Sequence, residues 1–154
     1  MLSVEDELIE FLNFHKLSFK PQFLTSSTYS YLLYHIVWSV KNREDLIPKS
    51  IQGDLHKKIQ DELETIRCTL HAIGNVEDHI HLLVQATTTI STADLVQKLK
   101  TTTAKFINTQ TPNHHAFSWQ KGYAVFSVGK PALKAVLAYV NNQEAHHECR
   151  RSAT

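Results

Sequence analysis

The chain has 154 residues, of which 42% are hydrophobic and 20% charged, with a formal net charge of +1. That length suits one domain with an ordinary core, and the near-neutral balance excludes binding to nucleic acid through a global basic field, leaving only local patches for such a role. No apolar run approaches the roughly 18 residues that a membrane-spanning helix needs, so no membrane partner is expected.

Acidic residues stand at Glu5, Asp6, Glu7 and Glu10, where a secretory signal would carry basic ones, so a cytoplasmic location is expected. Val4, Leu8, Phe11 and Leu12 have the spacing of a short amphipathic helix, followed by Lys-Pro-Gln and a Thr-Ser-Ser-Thr tract with the composition of a linker. Residues 1–28 therefore read as an N-terminal extension of unknown role, ahead of a domain spanning 29–150.

Residues 31–40 (YLLYHIVWSV) are apolar on both faces and rich in β-branched and aromatic side chains, as in a buried central strand. His35 lies within it, either near a ligand site or as a hydrogen-bonded core histidine, the latter favoured. The basic loop Lys41-Asn42-Arg43 follows and is a candidate phosphate contact through Lys41 and Arg43. Ile51, Leu55, Ile59, Leu63 and Ile66 then recur at helical spacing, predicting an amphipathic helix over 50–67. Residues 69–76 read as a second strand, with a bend or bulge at Gly74-Asn75, and 79–86 as a third.

In that third strand a period of two places His79 and His81 on one face and Ile80, Leu82 and Val84 on the other. Two imidazoles so spaced on a rigid strand can converge on one divalent metal, although a solvent-facing pair without a ligand is equally consistent with this stretch alone. Residues 91–108 form a second helix, capped by Ser91 or Thr92, with Leu95, Leu99, Thr102 and Phe106 expected inside. Lys98 and Lys105 share one exposed flank around Thr101, the composition of a phosphate contact or of a solvated face. Cys68 and Cys149 form no CxxC and read as free thiols of a reducing compartment.

Residues 117–128 (FSWQKGYAVFSV) alternate around Gly122, predicting a strand bent or split there. Pro131 suits the first turn of a last helix, expected over 131–148, whose stripe is Leu133, Val136, Leu137 and Val140. Tyr139, Gln143 and His146 fall on one flank of it, with Tyr139 and Gln143 stacked at i and i+4. The order of elements predicts an α+β, ferredoxin-like split βαββαβ fold with both crossover helices on one face of an antiparallel sheet, plus a C-terminal helix.

A phenol, with an ordinary pKa of about 10, is a poor nucleophile near neutral pH. It can attack a phosphodiester when a divalent metal takes up the charge of the transition state. His79, His81 and the amide oxygen of Gln143 would hold such a metal, and mixed nitrogen and oxygen donors suit Mg²⁺ or Mn²⁺.

Four segments carry a resemblance to a known family. Asp78-His79-Ile80-His81 resembles the His-hydrophobe-His motif of the HUH endonucleases. Residues 31–43, 117–128 and 139–147 (YVNNQEAHH) resemble the single-tyrosine transposases of small bacterial and archaeal insertion sequences, in matching order and spacing. The resemblance covers residues 30–148 and leaves 1–28 without a counterpart. It implies nicking and rejoining of single-stranded DNA at element ends through a 5′-phosphotyrosine on Tyr139, with His79, His81 and Gln143 as metal ligands. It also implies substrates with hairpin ends and a homodimer, with Gly129-Lys130 as a hinge for exchanging C-terminal helices. Two other readings remain: a domesticated relative that nicks without moving, and a non-catalytic single-strand nucleic-acid binding domain on the same fold.

Overall fold

A computed structural model describes residues 4–14, 30–44, 46–112 and 116–143. The chain divides into two compact units, residues 1–31 and 32–154. In the first, a helix α1 spans Val4–Phe14, with Phe11 and Phe14 exposed.

The second unit is built on β1 (Leu32–Ser39), α2 (Gln52–Thr65), β2 (Thr69–Val76), β3 (His79–Ala86), α3 (Thr92–Gln110), β4 (Ala124–Ser127) and α4 (Leu133–Asn141). The four strands form one antiparallel sheet in the order β2-β3-β1-β4, the ferredoxin-like arrangement expected from the element order. The strand read as apolar on both faces, β1, is central, and its neighbour β3 is the other central strand.

One sheet face carries Ile36 and Trp38 of β1 with Ile80, Leu82 and Val84 of β3. They pack against Leu55, Ile59 and Leu63 of α2 and Leu95, Val96, Leu99 and Ile107 of α3, all buried. The other face presents His79 and His81 of β3, aligned with Ser39 and Val37 of β1, and is covered in part by α4, which packs on β2 and β3. The sheet is thus sandwiched unevenly, with the main core on one side and the polar residues on the other.

Several local features differ from expectation. The buried face of α3 is Leu95, Val96, Leu99, Thr103 and Ile107, while Thr102 and Phe106 are only partly buried. The helix is rotated from the expected stripe, and Thr103 tolerates complete burial because its hydroxyl donates to the Leu99 carbonyl. The β2 irregularity falls between Leu70 and Ala72, and Gly74 sits in regular pairing opposite His81. Ser91 caps α3 by accepting from the Asp94 amide, as expected. The end of α2 is closed by Arg67 in the left-handed region (φ 58°), a position more often occupied by glycine.

No helix among the described residues is long and apolar enough to cross a membrane. Cys68 is a buried free thiol, while Cys149 and His146 lie outside the described residues.

Truncation of Ile80 to alanine should cost about 2–5 kcal/mol in urea unfolding, because its whole side chain lies in the main core. Gln85→Ala, on the partly exposed other face of the same strand, should change stability by no more than about 0.5 kcal/mol.

Candidate active site

A cavity of about 410 Å³ opens on the face opposite α2 and α3, lined by the end of β1, by His79 and His81, by residues 121–124 and by Tyr139 and Gln143. The two histidines are buried in the middle of the sheet, with ring centroids 5.1 Å apart. They are therefore not a solvent-facing edge pair. Each is held through its Nδ1. The Asp78 carboxylate accepts from His79 Nδ1 at 2.5 Å, and Arg43 approaches the same carboxylate at 3.8 Å. His81 Nδ1 lies 2.9 Å from His35 Nε2, the two rings stacking at 5.2 Å. Burial lowers the His35 pKa below its ordinary value, favouring the neutral ring.

Helix α4 brings Tyr139 and Gln143 to this pair. The Tyr139 ring stands edge-on to His81 at 5.7 Å and to His35 at 5.9 Å, and the residue is 45% exposed, so its phenol is accessible from solvent. Gln143 is 2% exposed and its Nε2 donates to the Tyr139 carbonyl, which aims the amide oxygen the other way. Of the expected apolar stripe of the helix, Val140 is fully buried, while Leu133, Val136 and Leu137 are only partly so.

The seat for α4 is Gly74. A β-carbon there would lie 2.0 Å from the Val140 carbonyl oxygen and 3.0 Å from Cγ of Gln143, so only glycine lets the helix backbone approach β2 this closely.

The fourth wall is a break in the last strand. Residues 118–120 pair with the end of β1 through Lys41 N to Ser118 O, Gln120 N to Ser39 O and the Val40–Trp119 bridge, and regular pairing resumes at Ala124. Gly122, at φ +83°, turns the chain between them, in agreement with the split expected there. Lys100 of α3 donates to the Gln120 and Gly122 carbonyls, which the break leaves without strand partners. Partial burial lowers the pKa of that ammonium.

The four residues expected to do the chemistry thus meet at one cavity, with Arg43 at its edge. Lys41 does not line it, and Lys98 and Lys105 are exposed on α3, across the sheet. Among the described residues no three His, Cys, Asp or Glu side chains form a metal-type cluster, and the polar side chain that lines the cavity beside the two histidines from α4 is Gln143. The contributions of Lys121, Lys100 and Gly74 were not read from the sequence. Only Gly74 carried a signal, since a glycine inside a strand marks either a bulge or a close backbone approach.

A four-stranded ferredoxin-like sheet, with a histidine pair on a central strand and a tyrosine on the helix packed over it, is what the resemblance to the single-tyrosine transposases leads one to expect. The family model described as "Transposase IS200 like" matches residues 28–143, and the chain belongs to that family. It is 24% identical over 117 residues to the ISDra2 transposase TnpA of Deinococcus radiodurans, covering 73% of this chain and 84% of that protein. Its fold is that of a crystal structure described as a "putative transposase" from the same organism (TM-score 0.61, 24% identity, 77% of this chain and 95% of that one). The structure of a REP-associated tyrosine transposase bound to a REP hairpin is similar too (TM-score 0.59, 11% identity, 79% and 73%). The resemblance carried by the sequence motifs is borne out.

Gly74→Ala should push α4 off the sheet, speed amide exchange along α4 and destabilise the protein by about 1–3 kcal/mol. Gly53→Ala, where an added β-carbon meets nothing within 4 Å, should be neutral or slightly stabilising in the same assay.

Proposed function

We propose that this transposase-family protein nicks and rejoins single-stranded DNA through a covalent tyrosine intermediate. The observation that carries the reading is the convergence of Tyr139, His79, His81 and Gln143 on one solvent-open cavity. In this reading the catalytic domain is residues 29–150, and residues 1–28 are an added segment.

The Tyr139 phenol oxygen attacks the scissile phosphorus, and the bond to the 3′-oxygen breaks. This leaves a 5′-phosphotyrosine and a 3′-hydroxyl, the phenolic proton passing through solvent to the departing 3′-oxygen. Rejoining is the reverse: a 3′-hydroxyl attacks a phosphotyrosine and Tyr139 is released. The energy of the phosphodiester is kept in the phosphotyrosine, so no external cofactor has to drive the joining step.

The donor set fits a divalent cation: two imidazoles, each hydrogen-bonded through Nδ1, and a buried amide oxygen, all lining one cavity. His79, His81 and Gln143 would hold Mg²⁺ or Mn²⁺, which when bound supplies Lewis-acid stabilisation of charge on the phosphate. Arg43 and Lys121 at the cavity place positive charge beside the path of a phosphate backbone. Hairpin-ended single strands as substrate, and a homodimer able to exchange C-terminal helices, follow from the family resemblance.

Labelled single-stranded DNA from the chromosomal flanks of its own gene, incubated with the protein and Mn²⁺, should give a band that survives denaturation. EDTA or Tyr139→Phe should abolish that band, with native-gel binding largely kept. An adduct that persists in Tyr139→Phe would move the nucleophile elsewhere, Tyr123 first. Tight binding with no adduct under any condition would make the chain a binding module. Lys98→Ala and Lys105→Ala should each flatten the salt dependence of binding by roughly one phosphate contact; an unchanged slope places that flank in solvent.

A further inference from the structure

We propose that His35 is a positioning residue that holds His81 in the tautomer with its proton on Nδ1, turning the His81 Nε2 lone pair toward the cavity. The inference rests on the metal-site reading for its purpose, but its content is where one proton sits.

His35 and His81 are not cross-strand partners. Their partners are Leu83 and Val37, so the two histidines are diagonal neighbours on the same face of β1 and β3. The diagonal geometry lets the rings overlap, nearly parallel at 22°, and brings His35 Nε2 to 2.9 Å from His81 Nδ1. At that separation one nitrogen carries a proton and the other a lone pair, and two imidazolium rings would repel.

The neighbouring histidine shows the same construction with a different partner. The Asp78 carboxylate can only accept, so the neutral His79 ring has its proton on Nδ1 and its lone pair on Nε2. At His81 the group that stands against Nδ1 is the His35 ring. In the matching arrangement His35 accepts through Nε2 and carries its own proton on Nδ1. His35 also lies edge-on to Tyr139 and tilted against Phe126, so its ring is held between β4 and the tyrosine helix. A ring so confined is suited to fix the orientation of its neighbour. The buried pair is therefore two ligand histidines with two different orienting groups, one anionic and one neutral.

The test is two-bond nitrogen–proton correlation NMR on the ¹⁵N-labelled full chain without metal, at about pH 8, above the usual histidine range. The expected result is a single His81 tautomer protonated on Nδ1. In His35→Leu that tautomer should be lost or mixed, and Mn²⁺ affinity, read by paramagnetic titration, should fall on the order of 10- to 100-fold. His35→Gln, which keeps an acceptor near the position of Nε2, should restore most of both. A His81 proton on Nε2 in the parent chain overturns the proposal, and so does Mn²⁺ affinity in His35→Leu equal to that of the parent. If the parent chain binds no Mn²⁺, the metal reading fails, while the tautomer still decides the role of His35. The parent spectrum needs no variant, so a folding defect in His35→Leu leaves the proposal testable.

Discussion

The Val140 carbonyl occupies the space where any side chain on Gly74 would have to be. The close approach of the last helix to the sheet is therefore set by a hydrogen atom on β2, in register with His81 on the neighbouring strand. Val140 fills the seat, and the next inward position of the helix, Gln143, is carried to the histidine pair. Tyr139 stays at the rim, one turn earlier and nearly half exposed. Buried amide and accessible phenol are the two outcomes of one helix docked at one depth.

Burying two histidines of the sheet and a glutamine brought by α4 would be costly if their polar atoms were left unpaired. Asp78 and His35 offset that cost and also restrict the imidazoles to defined orientations. The arrangement separates stability from chemistry along a single strand. Ile80, Leu82 and Val84 bury their side chains on the core side, while His79 and His81 line the cavity on the other. A shift of register by one residue would bring imidazoles into the core and isoleucine into the cavity, so the hydrophobic pattern that specifies the fold also aims the site.

The cavity wall at residues 121–123 comes from giving up regular pairing along β4. The interruption leaves carbonyls without strand partners, and Lys100 reaches from α3 to bind two of them. Trp119 donates to Thr103, and Asn108 bonds the Phe117 backbone in both directions, so α3 anchors the approach to the break as well. A helix that touches no part of the cavity thereby holds one of its walls. Its outward lysines, Lys98 and Lys105, remain across the sheet from the cavity, and a role for them in binding would require DNA to reach that side.

Much of this was legible in the chain itself. The alternation of His79, Ile80, His81 and Leu82 fixes which way the histidines face, because a strand has a period of two whatever surrounds it. The i, i+4 spacing of Tyr139 and Gln143, with the stripe beside it, fixes that the phenol and the amide travel together. The glycine in 117–128 marks the split strand, since few other residues adopt φ +83°. What tertiary structure alone decided was distance across elements: the depth at which α4 docks, the rotation of α3 that buries Thr103 rather than Thr102, and the pairing of His35 with His81. These depend on contacts between segments far apart in sequence, and no local period encodes them. Gly74 shows the limit most clearly. A strand glycine announces either a bulge or a close approach, and only the helix lying against it selects between the two.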